Sequence, residues 1–305
     1  MKPFFLFLTL VLAGNLALQA QDTIVPLWPR NNVPNRIPSD EKEMHKKDDI
    51  LLVSQVQYPE IEVYFPSERS NNGKAVLVFP GGGYHVLAYD WEGTDIAKFL
   101  NSKGIVAIVV KYRLPVSKSL ENPKMVPLQD AQRAIRLVRH NALNWNIDEN
   151  LVGVMGFSAG GHLASTLGTH YNEEAYEALD VVDAVSARPD FMALVYPVIS
   201  FTSSSKHSGS LKALLGENPS LNEIRYFSNE LQVNQDTPPT ILFHATDDKG
   251  VPPANSLLFY TSLVENNVSA ELHIFPEGGH GFALAIDRPY LHRWTEILAQ
   301  WIQNL

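Results

Sequence analysis

The sequence predicts an α/β fold in which a mostly parallel central sheet carries helices on both faces. The main observation is a rhythm of short apolar runs of strand length that alternate with segments of helical periodicity. With 305 residues the chain can bury one sizeable core, and no Gly/Ser linker or repeat divides it. The apolar runs lie at residues 61–65, 74–79, 105–110, 151–155, 191–198, 240–245 and 270–275.

The order of these runs predicts how the sheet is connected. The first two runs are joined by a short polar segment that ends at Asn72-Gly73, a dipeptide that favours a tight turn, so we expect them to pair antiparallel. The later runs are separated by helical segments, as parallel strands require. The expected helices cover residues 93–103, 126–144, 159–170, 252–266 and 289–303.

The stretch from residue 200 to residue 236 is less regular than the rest of the chain. It begins with a serine-rich segment and contains short helical pieces at 211–215 and 221–227. Functional sites are commonly covered by loops of this kind. We therefore expect a small lid or rim here, within a single domain that covers residues 21–305.

Ser158 stands at the centre of a Gly-x-Ser-x-Gly sequence between the apolar run 151–155 and the expected helix 159–170. A serine at a sharp strand-to-helix turn is held in strained backbone geometry, and neighbouring β-carbons would obstruct the turn, which accounts for Gly156 and Gly160. An accidental Gly/Ser turn is the alternative, and the residues that follow in the chain argue against it. Ser158 is therefore the candidate nucleophile.

Two adjacent aspartates in the loop after the run 240–245 compete for the role of the acid that orients a histidine base. Asp248 has Val251 at the third position after it, an Asp-x-x-Val arrangement seen in this loop of many serine hydrolases, whereas Asp247 would place Gly250 there. Asp248 is preferred for this reason. Asp247 is expected to be a loop or capping residue, although either aspartate could cap the following helix.

His280 is the candidate base because it follows the last apolar run and lies among three glycines. A loop without bulky side chains lets the imidazole approach a serine and a carboxylate at once. The chain order Ser158, Asp248, His280 is that of hydrolases with a serine at a strand-to-helix turn. His244 and His273 lie inside strand runs, where a histidine is more often a satisfied core or surface residue.

Attack on a carbonyl also needs backbone N–H groups that are already placed to stabilise the oxyanion. The turn Gly81-Gly82-Gly83 follows the run 74–79 and suits this task. We expect Gly82 to donate, with Gly81 or Gly83 assisting, and Ala159 to donate from the strand-to-helix turn. The turn lacks the Lys-Ser/Thr ending of a phosphate-binding loop, which argues against a nucleotide.

Two further clusters admit more than one interpretation. Charged residues at helical spacing on the segment 126–144 are typical of a solvated face or of internal ion pairs rather than an anion site. Aromatic residues after the glycine turn could form a platform for a sugar ring or pack in the core. The first cluster comprises Asp130, Arg133, Arg136 and Arg139, and the second Tyr84, His85, Tyr89 and Trp91. Because no His/Glu pattern has ligand spacing, we expect no catalytic metal and no cofactor.

Several of these motifs together resemble the α/β-hydrolase esterases, and within them the bacterial acetylxylan esterases and their carbohydrate-esterase relatives. The resemblance covers essentially the whole chain after residue 20 and rests on residues 80–84, 111–115, 156–162, 244–252 and 279–282. Pro80 departs from the family pattern, since it replaces the histidine of an HGGG loop. That histidine is not part of the triad, so the change bears only on the subfamily.

The resemblance implies an α/β-hydrolase fold and an acetyl esterase that acts on acetylated oligo- or polysaccharide through Ser158, Asp248 and His280. The oxyanion hole would comprise Gly82, Gly83 and Ala159. A feruloyl or general short-chain esterase remains open, as do the polysaccharide and the oligomeric state. A serine peptidase of the prolyl oligopeptidase type is disfavoured because the chain has no room for its propeller, and a non-enzymatic binding module because all parts of the triad are present.

The N-terminal segment predicts export. Residues 1–20 contain one lysine, an apolar stretch and small residues before Gln21, which is typical of a cleaved secretory signal. The apolar stretch is too short for a membrane anchor, and the absence of cysteine excludes a lipoprotein attachment site and disulfides. We expect the mature protein in the periplasm or outside the cell.

The charge balance excludes one class of partner. The formal net charge is −9, and removal of the signal takes away Lys2 and no acid, which makes it one unit more negative. An acidic protein of this kind is a poor partner for nucleic acid.

Overall fold

The computed structural model describes residues 23–305, so the expected signal at residues 1–20 lies outside the described residues. The strands are β1 Thr23–Pro26, β2 Met44–Lys47, β3 Leu51–Ser54, β4 Glu60–Tyr64, β5 Ala75–Phe79, β6 Leu87–Ala88, β7 Val106–Lys111, β8 Val152–Phe157, β9 Met192–Val195, β10 Thr240–Ala245 and β11 Ala270–Phe275. The α-helices are α1 Asp95–Ser102, α2 Val126–His140, α3 Ala159–Thr169, α4 Ser208–Leu215, α5 Leu221–Tyr226, α6 Ala254–Glu265 and α7 Pro289–Gln303.

The main sheet has eight strands in the order β1-β4-β7-β5-β8-β9-β10-β11. The strands from β7 to β11 in this order are parallel, and β4 and β1 add antiparallel pairs at one edge. The parallel strands β5, β7, β8 and β10 are buried throughout, as expected when helices cover a sheet. The predicted mostly parallel sheet flanked by helices is confirmed.

The predicted antiparallel pairing of the first two apolar runs is wrong. Strand β4 pairs with β7, from Glu60 opposite Lys111 to Tyr64 opposite Ala107, and β7 separates it from β5. The connecting segment is long enough to pass β7. The Asn-Gly sequence lies in a turn in which the side chain of Asn71 accepts from the N–H of Gly73, and the N–H of Asn72 donates to the carbonyl of Gly104 before β7.

Other boundaries also differ from the prediction. The 191–198 run forms only the short strand β9, because the backbone turns at Tyr196 with φ 38°. Helix α2 ends at His140, four residues early, and a short 3-10 helix follows at Leu143–Trp145. The helix expected at 93–103 begins as a π-helical segment, Asp90–Thr94, which continues into α1. The separate sheet β2-β3-β6 was not predicted.

Of the charged residues of α2 named above, Asp130, Arg133 and Arg139 form ion pairs, whereas Arg136 donates to the carbonyl of Val185 and the hydroxyl of Tyr176. Asp130 is fully buried and receives a two-pronged contact from Arg113 at 2.7 and 2.9 Å. Arg133 reaches Asp180 at 2.7 Å and Asp183 at 2.8 Å. Removal of one partner from such a buried pair would leave an uncompensated charge, so each pair links its segments strongly.

The strand order places the candidate functional loops side by side. From β5 the chain crosses to β7 on one side, and β8 then lies on the other side of β5. Phe79 at the end of β5 is in register with Gly156 near the end of β8. The glycine turn and Ser158 therefore leave the sheet at adjacent carboxyl ends, where α/β sheets commonly bind ligands.

None of the helices within residues 23–305 combines the length and the apolar character that crossing a bilayer requires.

Candidate active site

Ser158 occupies a strained turn between β8 and α3. Its backbone has φ 51° and ψ −118°, a conformation rarely adopted by residues other than glycine. A β-carbon on Gly156 would lie 2.2 Å from the carbonyl oxygen of Gly160, and one on Gly160 would lie 2.1 Å from that of Phe79. The two glycines are therefore required by backbone contact on both sides of the serine.

The structure brings Ser158, His280 and Asp248 into one hydrogen-bonded chain. The Ser158 hydroxyl lies 2.8 Å from His280 Nε2, and His280 Nδ1 lies 2.7 Å from Asp248 Oδ2. Since Nδ1 faces a carboxylate, it carries the proton, and Nε2 accepts from the serine. The His280 side chain is 29% exposed, whereas that of Asp248 is fully buried. This arrangement can move a proton from the serine to the imidazole.

The two adjacent aspartates have separate roles. Asp247 does not contact His280 through a hydrogen bond. Its Oδ1 instead accepts from the N–H groups of Gly278 and Gly279, both at 2.8 Å. It thereby fixes the loop that carries the histidine, which we call the histidine loop (residues 276–285).

Asp248 is held ionised by several neutral donors. Its Oδ1 accepts from the N–H groups of Gly250 at 2.9 Å and Val251 at 2.8 Å, and its Oδ2 lies 3.2 Å from His244 Nε2. Burial acts to raise the pKa of Asp248, but hydrogen bonds from His244 and His280 outweigh it and hold the pKa well below its usual range. A negative charge is therefore kept next to the His280 ring.

His244 is buried in the core, as expected for a histidine inside a strand, but its contact with Asp248 was missed. Its Nδ1 lies 2.7 Å from the hydroxyl of Ser256, and its Nε2 lies 2.8 Å from the carbonyl oxygen of Val251. Because Nε2 faces a carbonyl and a carboxylate, it carries the proton. The spacing of four residues between His244 and Asp248 across a strand end is a signal that could have suggested this contact.

The glycine turn, which we call the oxyanion loop (residues 80–84), has N–H groups that differ in whether they donate a hydrogen bond within the protein. The N–H of Gly81 donates to Glu92 Oε2 at 2.8 Å, which leaves Gly83 as the assisting candidate beside Gly82. Among the hydrogen bonds of residues 23–305, none uses the N–H of Gly82, Gly83 or Ala159 as donor. A β-carbon on Gly82 would lie 2.1 Å from the carbonyl oxygen of Val86, so the loop requires glycine there.

Glu92 and Tyr196 are further residues of the site that the sequence analysis missed. Glu92 is 4% exposed, and its Oε1 accepts from the Tyr196 hydroxyl at 2.8 Å. The Tyr196 ring packs edge-to-face against His280, with ring centroids 5.0 Å apart. Neither residue belongs to a motif that we could recognise.

The aromatic residues after the oxyanion loop divide between core and surface. Tyr84 and Tyr89 are buried, and the Tyr84 hydroxyl lies 2.8 Å from His162 Nδ1. These two tyrosines therefore pack in the core rather than form a sugar platform. Trp91 is 36% exposed and donates from Nε1 to the carbonyl of Gly281, while His85 is exposed.

Within residues 23–305, no group of three or more His, Asp or Glu side chains is arranged so that it could hold a metal ion.

Comparison with known proteins identifies relatives of this chain. The family model BD-FAE matches residues 61–263. A protein named endo-1,4-beta-xylanase B from Butyrivibrio fibrisolvens is 38% identical over 220 residues, 72% of this chain and 34% of its own length. An acetylxylan esterase from Xylanibacter ruminicola is 34% identical over 240 residues, 77% of this chain and 46% of its own length. This chain thus spans between a third and a half of these two curated relatives.

Solved structures match over a larger share of their length. An acetyl ester-xyloside bifunctional hydrolase from Caldicellulosiruptor lactoaceticus is 40% identical, with a TM-score of 0.79 over 94% of this chain and 98% of that one. A carboxylesterase from Lactobacillus plantarum is 22% identical, with a TM-score of 0.68 over 87% of this chain and 98% of that one. Together they confirm the α/β-hydrolase fold.

Proposed function

Because this chain belongs to the BD-FAE family of α/β-hydrolases, we propose that it is a carboxylic ester hydrolase that removes acetyl groups from acetylated xylan or xylo-oligosaccharides. The observation that carries the proposal is the chain of short contacts from Ser158 through His280 to Asp248. The names of two similar proteins, an acetylxylan esterase and an acetyl ester-xyloside hydrolase, support the choice of acyl group and substrate.

The proposed reaction begins when the Ser158 oxygen attacks the ester carbonyl and His280 takes the hydroxyl proton. Asp248 stabilises the imidazolium that forms, and the N–H groups of Gly82 and Ala159, with Gly83 assisting, hold the oxyanion. Collapse of this intermediate breaks the bond to the sugar oxygen, which leaves as an alcohol with the proton from His280. Water then attacks the acetyl-serine in the same way and releases acetate.

The strained backbone of Ser158 supports its role as the nucleophile. A non-glycine residue at φ 51° costs free energy, and residues in such conformations cluster at functional sites. Here the cost is offset by the contacts of Gly156 and Gly160, which fix the turn from both sides.

The test is acetate release from acetylated xylan by the mature protein and by Ser158→Ala, with a feruloylated xylan fragment and an aryl acetate alongside. We expect acetate release by the wild type and its loss in the variant, because the Ser158 hydroxyl is the group in contact with His280 Nε2. A variant of unchanged thermal stability that still released acetate would contradict the serine mechanism.

The comparison substrates separate the activity from its specificity. Cleavage of the aryl acetate without acetate release from xylan would keep the esterase and withdraw the xylan substrate. Preferential release of ferulate would replace the acetyl group as the natural acyl group.

We also propose that residues 1–20 direct export and that residues 21–305 form the catalytic domain. Expression of the full sequence in a bacterium, followed by N-terminal sequencing of the exported protein, tests both points. A mature form that begins at Gln21 is expected, and a protein retained in the cytoplasm with its first residues intact would contradict export.

A further inference from the structure

A second buried carboxylate lies next to the nucleophile and has no role in the reaction proposed above. Glu92 comes from the π-helical segment that precedes α1, and its Oε2 accepts from the N–H of Gly81 in the oxyanion loop at 2.8 Å. A β-carbon on Gly81 would lie 2.6 Å from that oxygen and 3.0 Å from Ser158 Cβ. The carboxylate is thus within a few ångströms of the serine.

Through Tyr196, Glu92 also reaches the histidine loop. The Tyr196 hydroxyl lies 2.8 Å from Glu92 Oε1 and accepts from the N–H of Ala283 at 3.0 Å. The Tyr196 ring packs against His280 at 5.0 Å between centroids. One carboxylate therefore joins the loop that would hold the oxyanion to the loop that carries the base.

The hydrogen bonds indicate that Glu92 is ionised. The Tyr196 oxygen already accepts from Ala283, so its own proton points to Glu92, and both Glu92 oxygens act as acceptors. Burial raises the pKa of Glu92 above its ordinary value, and the donors Tyr196 and Gly81 and the charge of His280 oppose that shift only in part. Among the described residues, no lysine or arginine forms an ion pair with Glu92, so its charge is not neutralised by a cation.

We propose that Glu92 is a positioning residue that holds the oxyanion loop and the histidine loop in register and whose negative charge favours the imidazolium form of His280. The inference rests on the proposed function, because it assigns His280 as the base. It differs from a purely structural role, since a residue that only filled the core would leave the proton affinity of His280 unchanged.

The charge effect has a predictable direction. The groups that face His280 are Asp248 from the loop after β10, Tyr196 from the end of β9, Glu92, and His207 from the cover segment 200–236. If one negative charge is removed from this set, the imidazolium becomes less favourable. The base then stays neutral to lower pH, so the acidic limb of the pH profile of kcat/KM moves to lower pH.

The experiment measures aryl acetate hydrolysis from pH 4.5 to 9 for the wild type, Glu92→Gln, Tyr196→Phe and the double variant. The glutamine keeps an oxygen for Gly81 but presents an amide to Tyr196, and the phenylalanine removes only the hydroxyl. For Glu92→Gln we expect a fall of about 10- to 100-fold in kcat with KM unchanged, the size associated with loss of a charged hydrogen bond. The acidic limb should move to lower pH.

Tyr196→Phe should lower kcat without moving the acidic limb, because the charge of Glu92 remains. In the double variant the loss should be smaller than the product of the two single losses, since both changes break the same link. Asp183→Asn is the matched control. It removes a buried charge that pairs with Arg133 outside this network, so it should lower thermal stability and leave kcat and the pH profile unchanged.

The outcomes distinguish this inference from the proposed function. If Ser158→Ala is inactive while Glu92→Gln retains the wild-type kcat, the inference is overturned and the serine esterase stands. A fall in kcat with an unmoved acidic limb overturns the charge effect, and fully multiplicative losses in the double variant overturn the shared link. A wild-type protein that cleaves no ester overturns both the function and the inference.

Discussion

The buried carboxylates of the protein are treated differently in two regions. Around helix α2, Asp130 faces the guanidinium group of Arg113, and Asp183, from the segment after α3, faces that of Arg133. At the candidate active site, Asp248 and Glu92 face neutral donors, namely imidazoles, a hydroxyl and backbone N–H groups. The carboxylates around α2 are balanced by the positive charge of an arginine. The site carboxylates face neutral donors instead, so their negative charge can act on a nearby group.

The negative charge that no arginine balances therefore lies at the candidate active site. In the proposed mechanism, an imidazolium at His280 would meet carboxylates that form no ion pair with a lysine or arginine in the described part of the chain. Proton transfer from Ser158 would be favoured for this reason. In the α2 region the same residue type serves to anchor segments. Arg133, for example, fixes the segment that contains Asp180 and Asp183. Burial of an acid is therefore not by itself a sign of catalysis, and its partners decide which role it has.

The largest effect on kcat is expected when the carboxylate of the proposed triad is neutralised. Asp248→Asn should lower kcat by about 10³- to 10⁴-fold, because the asparagine no longer stabilises the imidazolium or selects its tautomer. Asp247→Asn is the matched control. Its amide oxygen can still accept from Gly278 and Gly279, so steady-state kinetics should show only a small loss. Equal losses in both variants would contradict the preference for Asp248.

Neutralisation of a carboxylate in the other region should affect folding instead. Asp130→Asn leaves Arg113 buried with no counterion and places an amide against the indole N–H of Trp28, which now donates to Asp130 at 2.7 Å. We expect a loss of about 3 to 5 kcal/mol in the free energy of unfolding, measured by urea titration. The kcat per folded molecule should stay at the wild-type value. A large fall in kcat would show that the two regions are coupled.

A fall in pH should reduce the free energy of unfolding by a smaller amount, through buried histidines rather than through the ion pairs around α2. Burial lowers the pKa of His162 to about 4, and the same cause lowers the pKa of His170 to about 4, from an ordinary value of 6.5. Their contribution to stability is therefore complete above pH 6.5 and is lost as the pH falls towards 4. We expect a loss of about 2 kcal/mol per histidine between pH 7 and pH 5.

The ion pairs around α2 should keep their contribution to stability between pH 7 and pH 5. The pKa of Asp183 is lowered, since its hydrogen bonds and Arg133 outweigh the effect of burial, so its contribution is lost only at pH values below the ordinary 3.8. His162→Gln cannot be protonated and should flatten the pH dependence of the urea midpoint between pH 7 and 5. An unchanged slope in this variant would show that His162 is not a source of the acid sensitivity.

Much of the fold and part of the site could be predicted because the signals are local. The turn around Ser158 is encoded within five residues, and each candidate loop directly follows an apolar run that forms a strand. The register of β5 and β8 then brings these loops together. The pairing of β4 with β7 could not be read in the same way, because it depends on which distant strand offers the better edge, and an Asn-Gly turn is compatible with both solutions.

The network around Glu92 escaped prediction for a related reason. Glu92 and Tyr196 are 104 positions apart, and neither has a diagnostic neighbour. A glutamate near the start of a helix is usually exposed, where it interacts favourably with the helix dipole. Only the three-dimensional structure shows that the π-helical turn directs this side chain inward, below the oxyanion loop.

The order of the site residues along the chain determines when the candidate active site can be complete. Ser158 follows β8, whereas His280 follows β11, which is the last strand along the chain and lies at one edge of the sheet. A growing chain therefore contains the proposed nucleophile long before it contains the proposed base. Recovery of the proposed esterase activity during refolding should therefore follow the docking of the last strand, β11, rather than the first collapse of the chain.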